Sequence, residues 1–192
     1  MEIEAKTHTL RDGGSLTIRS AIADDAPATL ELLRSVVEEG AYTVREPSEF
    51  DLTEAGEREC IEEDREAAGN LCLVATTGGE VVGMVRASAE TYRRTRHFAD
   101  LDSLWVHAVH RRRGVAGTLL AALVAWARSH PEIEKLGLYV FSTNGGAVRL
   151  YETHGFAVEG RYPRDIKFGD GSYADTVAMG LIVKERPAGS NA

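Results

Sequence analysis

The sequence predicts an α/β fold, a mixed sheet of about seven strands with helices between them. Three observations carry this expectation. Strand-like apolar runs alternate with stretches of helical period through most of the 192 residues. One of those runs, Leu104-Trp105-Val106, leads through Arg111-Arg112-Arg113 and two glycines straight into an apolar helical pattern. The chain then closes with two strand-like stretches around a glycine-containing loop, Asp165 to Gly171.

Taken in order, Met1 to Gly14 is polar and ends in Asp-Gly-Gly, the composition of a loose arm. Leu16 and Ile18 alternate with Thr17 and Arg19, which suggests a first strand to Ala21. Asp24 or Asp25 can cap a helix that has Pro27 in its first turn and Ala26, Leu30, Leu33 and Val37 on one face; Gly40 ends it. An irregular stretch from Ala41 to Leu52 precedes a glutamate-rich helix over about 53–68, whose acidic face reads as solvated. Asn70 to Thr76 and Val81 to Ala89 flank Thr77-Gly78-Gly79-Glu80 as a hairpin. A polar stretch, Glu90 to His97, leads to a strand from about Ala99 to Val109. Val115, Leu119, Leu123 and Trp126 recur at helical spacing until Ser129-His130-Pro131, and Lys135 to Phe141 forms the next strand. Asn144 can cap a helix ending at Gly155, and the strands Phe156 to Tyr162 and Tyr173 to Val183 follow. These elements make one domain over residues 15–184, with a polar tail at 185–192.

Composition narrows the function. A hydrophobic content of 43% and a charged content of 27% describe a globular chain, and no apolar run reaches the length of a membrane span. No secretory signal is evident at the start, so a cytoplasmic location and no membrane partner are expected. Thirty acidic residues against 22 basic ones give a net charge of −8, which disfavours nucleic acid as a partner. Cys60 and Cys72 have no metal-like or paired spacing, so reduced thiols and no metal are expected.

The densest basic run, His110 to Arg113, stands at a helix start, where free N–H groups, the helix dipole and guanidinium groups favour a phosphate. A solvated basic turn is the alternative. A Walker loop is excluded because no Gly-Lys-Ser/Thr follows, and a dinucleotide loop because Gly-x-Gly-x-x-Gly is missing. What remains is Arg111-Arg112-Arg113-Gly114-Val115-Ala116, an Arg/Gln-x-x-Gly-x-Gly/Ala pattern after a strand. Further on stands Asn144-Gly145-Gly146-Ala147-Val148-Arg149-Leu150-Tyr151-Glu152-Thr153-His154-Gly155-Phe156. In this order and spacing the two blocks resemble the acetyl-CoA signature and the following helix of the GNAT superfamily of N-acetyltransferases.

The resemblance implies a GNAT fold, a mostly antiparallel sheet splayed between its fourth and fifth strands and flanked by about four helices. It further implies acetyl-CoA as acyl donor. Val106 and His107 would meet the pantetheine arm, with Arg111, Arg112, Arg113, Gly114, Val115, Ala116, Gly117 and Thr118 holding the pyrophosphate. Leu104 would offer its N–H to the thioester oxygen, and Tyr151 would serve the departing thiolate while also lining the donor site; as a residue alone, Tyr151 reads equally as a core tyrosine. Asn144 is a helix cap that can also meet the donor. Asp100 is the candidate base, in competition with a water relay. Tyr42, Glu46 and Phe50 are candidates to touch the acceptor, or else packing anchors and a surface charge. Ala108 and Val109 replace the Pro-Asp or Pro-Glu of many relatives, and Ala116 replaces the commoner glycine. The implied activity is transfer of acetyl to a primary amine, a free amino acid or other small amine. Protein N-terminal or lysine acetylation and a noncatalytic acyl-CoA-binding module are the alternatives, and a homodimer is a candidate assembly.

Overall fold

Leu71-Cys72-Leu73-Val74-Ala75 is apolar at every position, the pattern of a strand covered on both faces, and all five residues are buried. This strand lies within a sheet seen in a computed structural model that describes residues 2–185. The tail expected at 185–192 therefore lies, beyond its first residue, outside the described residues.

The elements are β1 (Lys6–Thr9), β2 (Ser15–Ser20), α1 (Ala26–Glu39), α2 (Glu54–Glu66), β3 (Leu71–Thr77), β4 (Glu80–Ala89), β5 (Phe98–Val106), α3 (Val115–Ser129), β6 (Lys135–Phe141), α4 (Gly145–Thr153), β7 (Ala157–Lys167) and β8 (Tyr173–Ile182). Eight strands form one sheet in the order β1-β2-β3-β4-β5-β6-β8-β7. Neighbours are antiparallel except β5 and β6, which run parallel.

The mixed sheet and its four helices agree with the expectation, but three boundaries differ for physical reasons. Lys6–Thr9 is an edge strand paired with β2 and not a loose arm; its side chains are mostly exposed, so no apolar alternation marks it. The strand expected to reach Val109 stops at Val106, because the chain turns through a short 3-10 segment at Ala108–His110. β7 runs on to Lys167, through residues that are mostly exposed and so carry no burial pattern.

Val115, Leu119, Leu123 and Trp126 of α3 are all buried, against Leu136, Leu138, Val140 and Tyr151 in the larger core cluster on one face of the sheet. On the other face α1 and α2 lie against β3, β4 and β5 around Ala26, Leu32, Ile61, Val74 and Met84.

The acidic face of α2 is not wholly solvated. Glu57, Ile61 and Asp64 share the inward side, and both carboxylates are buried. Arg86 of β4 meets them at 3.1 Å (Glu57) and 2.7 Å (Asp64), so one guanidinium compensates two buried charges. Replacing Arg86 with leucine is expected to lower the unfolding free energy by about 3–5 kcal/mol, because two buried acids are left without a counter-charge. Urea denaturation reads this directly, and adding Glu57→Gln and Asp64→Asn to the variant should recover part of the loss. A change below about 1 kcal/mol would show that the network contributes little.

Candidate active site

The pairing of β5 with β6 is short. It covers only Phe98↔Lys135, Ala99↔Leu136 and Asp100↔Gly137, although β5 continues to Val106 and β6 to Phe141. Gly137 stands at the last pair for a steric reason: a Cβ there would lie 2.3 Å from Cζ of Phe98. Beyond it the facing edges of both strands lack each other as partners. A bulge sits at the same place, since Arg86 opposes Ser103 and Ala87 opposes Leu101, leaving Asp102 as the extra residue.

The bulge and the strand end fix which backbone groups face the gap. The His107 N–H donates to the Val82 carbonyl on the β4 side at 3.0 Å. Backbone alternation therefore turns the polar groups of Val106 and Leu104 to the opposite edge, towards β6. The Val106 carbonyl is taken by Arg111 Nε at 2.9 Å. The Leu104 N–H, predicted as the donor to an oxyanion, belongs to this edge.

At the far end of β5 the chain turns into α3. Arg112 is left-handed at φ 65°, which costs a non-glycine residue about 1–2 kcal/mol, and Gly114 is left-handed at φ 102° as the residue before the helix. Gly114 caps the helix without a side chain, so the first N–H groups, from Val115 to Gly117, have no capping oxygen. Thr118 does not add a free donor, because its hydroxyl donates to the Gly114 carbonyl at 3.1 Å. Val115 is buried in the core, so only its backbone can serve a ligand.

The three arginines are not equivalent. Both terminal nitrogens of Arg111 meet Glu39 at the end of α1, at 2.7 and 2.6 Å. That hydrogen-bonded pair holds the Glu39 carboxyl below the usual carboxylate range. Arg113 meets Asp12 at 2.5 Å and His110 Nδ1 at 2.8 Å. Desolvation, with the neighbouring charge of Arg113, lowers the pKa of His110, which favours the neutral ring that can accept from Arg113. No ion pair involves Arg112 among the described residues. The sequence offered no distance between these groups, but one signal was present: an acidic Glu39 in the last turn of a helix opposes the dipole and so suggests a cation nearby.

Tyr151 lies on α4, 7% exposed, its ring edge-on to Phe156 at 5.8 Å. Burial pushes its phenol up to about 12, so it is protonated and available as a donor at neutral pH. Asn144 caps α4 by accepting from the Ala147 N–H at 3.1 Å. His154, unforeseen as a contact, bridges the helices: Nδ1 lies 2.8 Å from the Leu150 carbonyl and Nε2 lies 3.1 Å from that of Gly117. His107 is half-buried, with a buried Nδ1 that has no hydrogen-bond partner among the described residues.

Asp100 sits at the closed end of the gap. A Cβ on Gly137 would lie 3.5 Å from its Oδ1, which is buried without a hydrogen-bond partner among the described residues. Desolvation, and then the negative charge of Glu90, raise this carboxyl above the ordinary range. Asp102 is tied to the Ser88 hydroxyl at 2.7 Å.

The three acceptor candidates differ in their surroundings. Phe50 lies under the guanidinium of Arg34, 4.4 Å from the ring centre, and so is fastened to α1. Glu46 reaches the β7–β8 turn, where a Cβ on Gly169 would lie 3.9 Å from its Oε1. Tyr42 is 52% exposed.

Residues 37–156, which hold the gap, the arginine loop and Tyr151, match the Acetyltransferase (GNAT) family. The chain belongs to that family. It is an acetyltransferase of the GNAT fold. Over 114 residues it is 29% identical to the L-amino acid N-acetyltransferase AaaT of Escherichia coli K12, covering 57% of this chain and 67% of that one. The GNAT-family acetyltransferase of Streptococcus pneumoniae superposes with a TM-score of 0.83 at 28% identity, over 87% of this chain and 99% of that one. The yncA protein of Salmonella typhimurium, solved with its cofactor acetyl-CoA, shares the fold at a TM-score of 0.81 and 24% identity, over 92% of this chain and 99% of that one. Among the described residues no helix is long and apolar enough to cross a membrane, and no group of three or more His, Cys, Asp or Glu residues is placed to hold a metal.

The Glu39 and Arg111 pair ties the GNAT loop to α1, and its loss should loosen the loop. In Glu39→Gln, amide exchange at Arg112 to Gly114 is expected to quicken about two- to fivefold, the factor for a half-exposed pair of about 0.5–1 kcal/mol. Because the Glu39 pKa is depressed, this stabilisation is present above the unfolded carboxylate value near 4.3 and is lost as pH falls through the folded one. Unchanged exchange at pH 7 would contradict it.

Proposed function

We propose that the protein transfers the acetyl group of acetyl-CoA to the primary amine of a small molecule, in the first place a free amino acid, by direct attack in a ternary complex. The observation that carries this reading is the early end of the β5–β6 pairing. It opens a gap between two strand edges, with an unpartnered carboxyl oxygen at the closed end and an uncapped helix N-terminus beyond the last residue of β5.

The donor fits these residues. The backbone groups of Leu104 and the N–H of Val106, turned to the edge that lacks a partner strand, suit a chain of amides, and the α3 N-terminus with Arg112 suits a pyrophosphate. Because Arg111 and Arg113 are held by acids, the backbone from Gly114 to Gly117 carries more of the anion recognition than the three arginines suggest. His107 would border the donor, Ala116 and Thr118 would shape the first helical turn, and Asn144 would hold the start of α4. Bound acetyl-CoA would supply the thioester carbonyl and a thiolate leaving group.

Asp100 takes the ammonium proton of the acceptor, directly or through water, and its raised pKa makes it a better base than an exposed carboxylate. Leu104 offers its N–H to the developing negative charge. Tyr151 donates to the departing sulfur. With a thiol near 8.5 and a phenol near 12, full proton transfer is uphill by about 5 kcal/mol, so Tyr151 contributes a hydrogen bond that strengthens as charge builds on sulfur. Tyr42 and Glu46 flank the acceptor, and Phe50 braces that wall against Arg34. The amino-acid preference is supported by the likeness to AaaT.

Release of free thiol from acetyl-CoA over a panel of amino acids, small amines and peptides tests the reading. Turnover with peptides alone, or with no amine, would overturn it. In the same assay Tyr151→Phe should lower kcat by about 10- to 1,000-fold with acetyl-CoA affinity nearly unchanged. A variant with parental kcat and a lower melting temperature would make Tyr151 structural.

For Asp100 the pH profile is decisive. The acidic limb of kcat/KM should lie above the ordinary carboxylate range, because the base form appears only as pH rises through a raised pKa. Glu90→Gln should shift that limb to lower pH by removing the repelling charge, and Asp100→Asn should lower kcat/KM by about 100-fold. A loss below about fivefold with the limb in place would favour a water relay.

A further inference from the structure

The face of β6, β8 and β7 turned away from α3 and α4 carries two exposed tyrosines. Tyr139 on β6 is 64% exposed and Tyr162 on β7 is 48% exposed. Their ring centres are 6.0 Å apart at an interplanar angle of 53°. The two strands flank β8, where the register sets Ala178 beside Tyr139 and Thr176 beside Tyr162. These small residues leave room for the rings to lean together over the middle strand. The pair presents two ring surfaces to solvent side by side, a contact area that a flat apolar group can cover.

Its position relates it to the gap. Asp100 lies over Gly137, where a Cβ would come within 3.5 Å of Oδ1, so its carboxylate is on the Gly137 face of β6. Tyr139 is two residues further along the same strand and emerges on that same face. Gly137 is also the residue at which the β5–β6 pairing ends. Tyr162 above all, with Asp100 among the other causes, raises the Tyr139 phenol, which therefore remains a neutral donor.

We propose that Tyr139 and Tyr162 form the subsite for the acceptor's side chain, selecting amines whose body is apolar and preferably aromatic and whose ammonium group reaches Asp100. This rests on the reading of a small amine acceptor. A flat apolar group gains contact with both rings, and tyrosine loses little conformational freedom in providing it. A second copy of the chain is the competing occupant.

The probes are L-phenylalanine and L-alanine, which share the reacting amine and differ in the body. Two readouts are taken on the full-length protein: the ratio of their kcat/KM values in thiol release, and the ratio of their affinities in calorimetry. The parent should prefer L-phenylalanine in both. In the double variant Tyr139→Ala, Tyr162→Ala each ratio should fall about tenfold or more, while Tyr139→Phe should keep most of the preference. Equal binding of the two probes by the parent, or a preference that survives the double variant, overturns the subsite. So does a change of oligomeric state in the double variant, by sedimentation, with the ratios unmoved, which gives the face to a second copy. A parent that prefers L-phenylalanine in calorimetry but releases no thiol with any amine of the panel would leave the subsite standing and refute the transfer reading instead.

Discussion

The hydrogen bonds that β5 and β6 do not make govern the rest of this molecule. A sheet that left strand edges unpaired inside a fold would be costly unless something else met those groups, because buried N–H and C=O groups need partners. Three pairs hold the strands at one end, and the last of them falls at the glycine that admits the Phe98 ring. From there each strand is held in the sheet by its other neighbour, β4 for β5 and β8 for β6. The opening thus has rigid walls without being braced across its middle.

What keeps those walls in place is charge as well as apolar packing. The guanidinium of Arg86 lies opposite the bulge and is held by two buried acids from α2, so the irregular part of the sheet is fastened to a helix on the other layer. Removing three charges from water is expensive, so the network's net contribution to stability is smaller than the cost of breaking it. The same device recurs with less burial at the loop before α3, where Glu39 and Asp12 each hold one arginine. An overall acidic chain has placed acids against its own cations.

Much of this was legible in the sequence. The α3 face of Val115, Leu119, Leu123 and Trp126 was fixed by period alone, and all four residues are buried. Asn144 was readable as a cap because its side chain needs only a helix start to act as one. The arginine loop was legible as a feature but not in its wiring. Which acid meets which arginine depends on residues up to 101 positions away, and no local pattern encodes that. The inward carboxylates of α2 were hidden for the same reason, since a glutamate-rich helix looks solvated until a buried arginine is known to face it. β1 was missed because an exposed edge strand with polar residues on both faces has no period to detect. For the acceptor wall the sequence could name Tyr42, Glu46 and Phe50 but could not divide them between contact and support. The stacking of Arg34 on Phe50 needed coordinates.

The bond between Arg111 and Glu39 joins the end of one helix to the loop at the start of another, 72 residues apart. Thermodynamic linkage follows from it. An anion that draws the guanidinium away must replace what the carboxylate supplied, so its affinity is a difference between two pairings and not the strength of one. Reciprocity then requires that if ordering the last turn of α1 changes anion affinity by some factor, anion binding changes that ordering equilibrium by the same factor. Glu39 is thereby coupled to the loop through Arg111.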